Sequence, residues 1–200
     1  MERLPLLNQE GLKGGIIYHD GQFDDARMAV ALAHACVEHG AIVLNHVGVS
    51  QLLKKDGKKV SGVVAIDVVS GNEIVAEARV VINATGVFTD EINRMDHPGA
   101  KPTIRPSQGV HIVLDGAFLE SHSAIMIPKT DDGRVLFAIP WMGKVVVGTT
   151  DTPVDHISGE PEALDEEIGF ILRNAGKYLI RQPGRKDILS VFAGLRPLAA

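Results

Sequence analysis

The sequence predicts a mixed protein, part α/β and part α+β, and three observations carry that prediction. Helical and strand-like patterns alternate through the first half of the chain. Strand runs split by short turn signals fill the second half, the arrangement of an antiparallel sheet, and one amphipathic helical pattern follows them. Between the halves, Pro98, Gly99, Pro102 and Pro106 crowd a stretch that reads as a change of domain.

Residues 15–18 read as a short strand that turns at Asp20-Gly21. Asp24 or Asp25 then offers an N-cap to a helix running to about His39, and Gly40 supplies its stop. Ala26, Ala29, Val30, Ala33 and Val37 recur at helical spacing there, and their small side chains suit close approach to a sheet. Cys36 lies in the same pattern and is the sole cysteine, so no disulfide forms within the chain and a small buried hydrophobe is expected. Three strand-like runs follow at 41–53, 60–69 and 74–82, separated by Asp56-Gly57 and Gly71-Asn72, which predicts an antiparallel meander. The third run ends in Asn83-Ala84-Thr85-Gly86, and 88–95 reads as a short helix.

Beyond the proline-rich stretch, strands are expected at 109–114, 124–128, 135–139 and 145–149, with turns at Asp132-Gly133 and Met142-Gly143. A helix is expected over about 161–180, with Pro161 in its first turn, where a missing N–H costs nothing. Leu164, Ile168, Ile171, Leu172, Ala175 and Leu179 form its apolar stripe. A last strand covers 188–192. The chain opens in a short Leu/Pro stretch and stops just after an apolar run, and reads as an excerpt of a longer protein. The pattern as a whole is part of an α/β nucleotide-binding domain joined to an antiparallel sheet with a covering helix.

Composition narrows the function. A net charge of −5 gives no electrostatic reason to expect a nucleic-acid partner. The apolar runs are too short and interrupted to span a bilayer, and no secretory-type leader pattern opens the chain. A reducing, cytosolic setting fits the single cysteine. The glycine-rich G-x-G-x-x-G dinucleotide motif is absent, since Gly11, Gly14 and Gly15 are wrongly spaced, and no P-loop or G-x-S-x-G elbow occurs. His34 and His39 stand five apart, on different helix faces, and no H-E-x-x-H is present, so no metal is expected. Small residues at 83–86, at a strand end, would let a ligand or another backbone approach closely; a tight turn into the next helix explains them equally well.

Ordered motifs add a resemblance. Residues 14–27, with Asp20-Gly21-Gln22 and Asp24-Asp25-Ala26-Arg27, are similar to the y-D-g-q-x-D-D-a-R stretch of FAD-dependent glycerol-3-phosphate dehydrogenases. Asn83-Ala84-Thr85-Gly86 resembles that family's N-A-[TA]-G, and Arg105 to His111 its R-x-s-x-G-x-H. Ile139-Pro140-Trp141 with Gly148-Thr149-Thr150-Asp151 resembles i-P-W…G-T-T-D, and Gly194-Leu195-Arg196-Pro197-Leu198 resembles G-x-R-P-L. Each piece is weak alone; in order they cover nearly the whole chain.

The resemblance implies a D-amino-acid-oxidase-like fold, in which a Rossmann-like FAD-binding domain interleaves with an antiparallel-sheet substrate domain. Residues 1–22 would then carry a strand of the substrate domain, 23–97 part of the FAD domain with its meander, and 98–200 a truncated substrate domain. The implied reaction is oxidation of sn-glycerol 3-phosphate to dihydroxyacetone phosphate by hydride transfer to FAD. Electrons would pass on to quinone, or to oxygen. His111 would accept or hold the C2 hydroxyl proton, a task suited to a neutral imidazole. Arg196 would grip the phosphate or orient the C2 oxygen. Ala84, Thr85 and Gly86 would contact the FAD, and Val47 would meet its adenine. Arg105 is expected to brace the loop before His111, Thr149 to Asp151 to form a turn bonded through Asp151, Asp24 and Asp25 to cap a helix, and Trp141 to serve as core or interface.

The resemblance also implies a cytoplasmic protein attached peripherally to the inner face of the membrane. Without the glycine-rich motif the chain by itself is expected not to retain FAD, and an uncovered apolar face would drive self-association into homo-oligomers. Two alternatives stay open: another amine or 2-hydroxy-acid oxidase or dehydrogenase of the same fold, and a folded module without activity.

Overall fold

The computed structural model describes residues 3–200. Its contacts divide the chain into two compact units, one of Lys13–Asn83 with Ile92–Gly99, the other of the chain up to Leu12 with Ala84–Glu91 and Ala100–Ala200.

The smaller unit begins with helix α1, Asp25–Glu38, whose first orphan donors are met by the Asp24 carboxylate accepting from Arg27 N at 3.0 Å. Gly40, at φ 84°, ends it in the left-handed conformation that a glycine adopts without strain. Strands β1 (Val47–Lys55), β2 (Lys59–Asp67) and β3 (Glu73–Glu77) form the antiparallel meander that the turn signals predict. β1 starts six residues later than the apolar run, and β3 stops well before Ile82. Lys54 reaches the end of α2 (Thr89–Asp96), pairing with Asp96 at 2.9 Å.

Two expectations for this unit fail. Residues 15–18 form no strand, because an extended segment becomes one only when a neighbour completes its ladder. Helix α1 has no buried residue, and Cys36 is exposed rather than buried, because the sheet does not pack on its small-residue face.

In the larger unit the long strand β4 (Ile104–Asp115) is the spine. Strands β5 (Ile125–Ile127), β6 (Leu136–Trp141) and β7 (Lys144–Gly148) extend the sheet from one edge of β4, continued there by the short β8 (Thr152–Pro153). Helix α3 (Asp165–Gly176) crosses the sheet, and β9 (Ser190–Ala199) pairs with the other edge of β4. Every pairing is antiparallel.

β4 starts inside the proline-rich stretch read as loop. Pro106 lies directly opposite Pro197 of β9. Antiparallel strands alternate pairs that exchange hydrogen bonds with pairs that do not, so two residues without an N–H can face each other at no cost to the ladder.

The core follows from strand alternation. Val110, Ile112 and Leu114 of β4, with Val145 and Val147 of β7, turn to α3 and are buried, as are Ile171, Ala175 and Leu179 of the predicted stripe. Each of these Val, Ile and Leu side chains contributes about 1.5–3 kcal/mol by leaving water. The helix itself is shorter than expected. Pro161 stands outside it, and Leu164, read as part of the stripe, is its half-exposed N-cap. Two polar residues, Glu167 and Asn174, take inner positions beside Phe170 and Ile171.

Candidate functional site

Alternation also defines the other sheet face. Ser107, Gly109 and His111 share the side of β4 away from α3. Opposite them on β9 stand Arg196, Gly194 and Phe192 respectively, and opposite His111 on β7 stands Gly148. Side chains of directly opposed residues lie on the same face. The histidine and the arginine that the sequence singled out therefore share one surface.

Two glycines make room for them. A Cβ at Gly148 would overlap the His111 ring, and one at Gly109 would overlap the Arg196 guanidinium. Each ring or fork lies flat on a strand position that only glycine leaves open. On its other side the imidazole stacks on Phe192, with centroids 5.0 Å apart and the rings 10° from parallel. Burial pushes the His111 pKa below the usual histidine value, and the positive Arg196 pushes it the same way. Both effects favour the neutral form of the ring.

Arg196 is fixed by a bulge. β7 pairs with β4 down to Gly148 opposite His111, and β8 resumes at Thr152 opposite Gln108. Thr149, Thr150 and Asp151 thus face only Gly109 and Val110, one residue too many, and the Arg196 side chain crosses over Gly109 to reach them. Thr150 Oγ1 accepts from Val110 N at 3.0 Å. Arg196 Nη1 donates to Thr150 O at 3.0 Å, and Nη2 donates to Thr149 Oγ1 at 2.7 Å. Asp151 lies 3.8 Å from Nη1 and accepts from Ser107 Oγ. The expected turn bonded through Asp151 is instead a bulge bonded chiefly through the two threonines.

Behind the bulge, Glu167 is buried at 4% exposure. Its Oε1 accepts from Thr150 Oγ1 at 2.9 Å and from Thr152 Oγ1 at 2.7 Å. Its Oε2 accepts from Gln108 Nε2 at 2.7 Å and from Leu164 N at 3.0 Å. Burial alone would raise the carboxyl pKa, but these donors outweigh it and hold it below the usual value. The sequence reading missed this residue. The signal was a carboxylate four positions before Ile171, inside the apolar stripe.

Ala84 and Thr85 are exposed, Gly86 has φ 57°, and the turn Gly86–Phe88 packs against β9 and β4, the strands that carry Arg196 and His111. Asp90, just inside α2, anchors the start of β4. Its carboxylate accepts from Thr103 N at 3.0 Å, Thr103 Oγ1 at 2.6 Å and Ile104 N at 3.1 Å. Val47 opens β1 opposite Asp67, in the smaller unit. Arg105 is exposed within β4 rather than bracing a loop, and Trp141 is half-buried at the end of β6. Among the described residues no His, Cys, Asp or Glu side chains gather as a metal would require, and no helix is long and apolar enough to cross a membrane.

The arrangement offers an imidazole, a potential proton acceptor, beside a fixed cation on an open sheet face, with small exposed residues leading into a nearby turn. A flavin fits such a face: Phe192 is half-exposed there, and at Gly86 nothing stands within 4 Å of where a side chain would begin.

Known proteins agree. The chain is 44% identical over 201 residues to the probable mitochondrial glycerol-3-phosphate dehydrogenase of Caenorhabditis elegans, and 42% identical over 205 residues to the mitochondrial glycerol-3-phosphate dehydrogenase of Homo sapiens. Each match takes in 99% of this chain and 28% of the relative, so the chain spans under a third of their length. The glycerol-3-phosphate dehydrogenase of Bacillus halodurans, solved in complex with FAD, superposes with a TM-score of 0.92 at 36% identity, over 100% of this chain and 40% of that one. Glycine oxidase from Bacillus cereus shares the fold, at a TM-score of 0.62 and 22% identity over 86% of this chain and 43% of that one. The mixed α/β class with antiparallel sheets is that of the FAD-complexed Bacillus halodurans enzyme. Since the profile of the FAD dependent oxidoreductase family matches residues 1–200, the chain belongs to that family.

Proposed function

We propose that this chain forms the substrate side of an FAD-dependent glycerol-3-phosphate dehydrogenase, which oxidises the C2 hydroxyl of sn-glycerol 3-phosphate to the ketone of dihydroxyacetone phosphate. One observation carries the reading: His111 and a clamped Arg196 are seated on glycines of one sheet face. The names of the relatives, matched over 99% of this chain, and the solved FAD complex support it.

The oxidation removes a hydride from C2 and a proton from its hydroxyl. FAD, when bound, supplies the hydride acceptor. His111 takes the hydroxyl proton, which a neutral imidazole can do and an imidazolium cannot. Arg196 spends two of its five N–H donors on Thr149 and Thr150, and the rest of the fork, with its permanent charge, holds the anionic substrate. A fork already fixed loses little further freedom on binding. Ala84, Thr85 and Gly86 would contact the cofactor, and Val47 would meet its adenine.

In this reading residues 98–200, with 1–22, make the substrate domain and 23–97 part of the FAD domain. A distinct unit over most of 23–97 accords with this, although that unit also takes in 13–22 and leaves out Ala84–Glu91. Quinone as final acceptor (oxygen in oxidase members), peripheral attachment to the inner face of a membrane, cytoplasmic residence and a homo-oligomer rest on the family resemblance. The relatives from C. elegans and H. sapiens carry mitochondrial names.

The test is a substrate panel on the full-length protein. Bleaching of bound flavin by sn-glycerol 3-phosphate, with D-amino acids and 2-hydroxyglutarate inert, is expected. Preference for an amino acid or a 2-hydroxy acid would move the protein to another activity of the same fold.

A further inference from the structure

We propose that Glu167 is a positioning residue for Arg196, setting the guanidinium through the Thr149–Asp151 bulge from the far side of the sheet. The inference rests on the proposed function and deepens it.

The connection is continuous. Glu167 Oε1 accepts from the hydroxyls of Thr150, inside the bulge, and Thr152, just after it, at 2.9 and 2.7 Å. Thr150 in turn presents its carbonyl to Arg196 Nη1 at 3.0 Å, and its neighbour Thr149 presents Oγ1 to Nη2 at 2.7 Å. One buried carboxylate thereby fixes the segment whose two acceptors, a carbonyl and a hydroxyl, set the tilt of the fork. A bulge has no continuous ladder to hold its shape, so its geometry depends on such side-chain bonds. The other oxygen is anchored on both sides of the interface, to Gln108 of β4 at 2.7 Å and to the N-cap amide of α3, Leu164 N, at 3.0 Å.

The chemistry also requires the ionised form. All four described partners donate: two hydroxyls, one amide NH₂ and one backbone N–H. An ionised carboxylate accepts from all four, whereas a neutral amide of the same shape has one oxygen and one donor. In Glu167→Gln the oxygen must face Gln108 and Leu164, which can only donate through these groups. The new NH₂ then faces Thr150 and Thr152 and displaces their hydroxyl hydrogens. Thr150 Oγ1 already accepts from Val110 N, so it receives a second donor and loses its own acceptor. The bulge relaxes while helix and sheet keep their apolar contacts.

The experiment uses full-length holoenzyme and a double-mutant cycle between Glu167→Gln and Arg196→Lys, read as kcat/KM for sn-glycerol 3-phosphate. Flavin content and Tm are measured on each variant. If the carboxylate acts through the guanidinium, Glu167→Gln lowers kcat/KM at least tenfold with flavin content unchanged, and the double variant stays within twofold of Arg196→Lys alone. A merely structural role would multiply the two losses or leave kcat/KM within twofold of wild type, and either result overturns the proposal. Should Glu167→Gln fail to accumulate as holoenzyme, Thr152→Val, which leaves the carboxylate its other three bonds, takes its place under the same criterion. Failure of wild-type enzyme to oxidise glycerol 3-phosphate would instead overturn the proposed function. The cycle would then be read on whichever amine or 2-hydroxy acid the protein oxidises.

Discussion

Burial and the neighbouring guanidinium both favour neutral His111, and this has a kinetic consequence. In the proposed mechanism the base form is the active form, and a depressed pKa keeps it populated to lower pH. The acid limb of the kcat/KM profile is therefore expected below pH 6.5, the unperturbed histidine value, and a limb above that value would contradict the assignment. The same shift links to stability. The group is depressed in the folded state, so its contribution is present above pH 6.5 and is lost as pH falls through the folded pKa. A second prediction concerns the seat of the ring. Gly148→Ala places a methyl where the imidazole lies, so the ring must leave its stack on Phe192. Loss of base catalysis lowers kcat by about 10²–10⁴-fold, with flavin content kept, checked by steady-state kinetics and flavin absorbance. His111 and Arg196 were legible in the sequence only through their motifs. The glycines within those motifs gain their reason from the strand pairing, which sets Gly109 under Arg196 and Gly148 under His111. Glu167 and Asp90 escaped because a charged residue in a helical pattern is read as solvated by default.

At the scale of elements, capping and periodicity located α1 and the inner stripe of α3, and turn dipeptides located the meander. They failed where partners decide. Residues 15–18 have a strand's composition but no strand, and β4 begins at a proline stretch because Pro106 meets Pro197. Edge pieces such as β8 are too short to leave a pattern. Two element-scale outcomes are expected. Ile171→Ala, at a fully buried position between α3 and the sheet, should cost about 2–5 kcal/mol in urea unfolding. Asp90→Asn puts a donor among the two backbone N–H groups and one hydroxyl that Asp90 now receives. It should cost about 1.5–3 kcal/mol and loosen the start of β4, visible as faster hydrogen exchange at Thr103 and Ile104. Protection unchanged from wild type would show that the anchor is idle.

For the whole molecule, the smaller unit leaves much of its apolar surface open: Ile16 is 93% exposed, Ile42 88% and Ile82 82%, and every residue of α1 escapes burial. Patches of that kind promote association. The 200-residue chain by itself is expected to sediment as concentration-dependent oligomers and to bind a hydrophobic dye, whereas a strictly monomeric, dye-negative preparation would contradict this. With no glycine-rich pyrophosphate motif in its sequence, it is also expected not to quench FAD fluorescence. The central claim is that the sheet face of His111 and Arg196 is where glycerol 3-phosphate is oxidised. Its most direct measurement is stopped-flow flavin bleaching by sn-glycerol 3-phosphate in the full-length protein and in its His111→Asn and Arg196→Ala variants. Fast bleaching in wild type, slowed by about 10²-fold or more in both variants with flavin still bound, is the predicted result. Bleaching that proceeds equally in all three would place the reaction elsewhere.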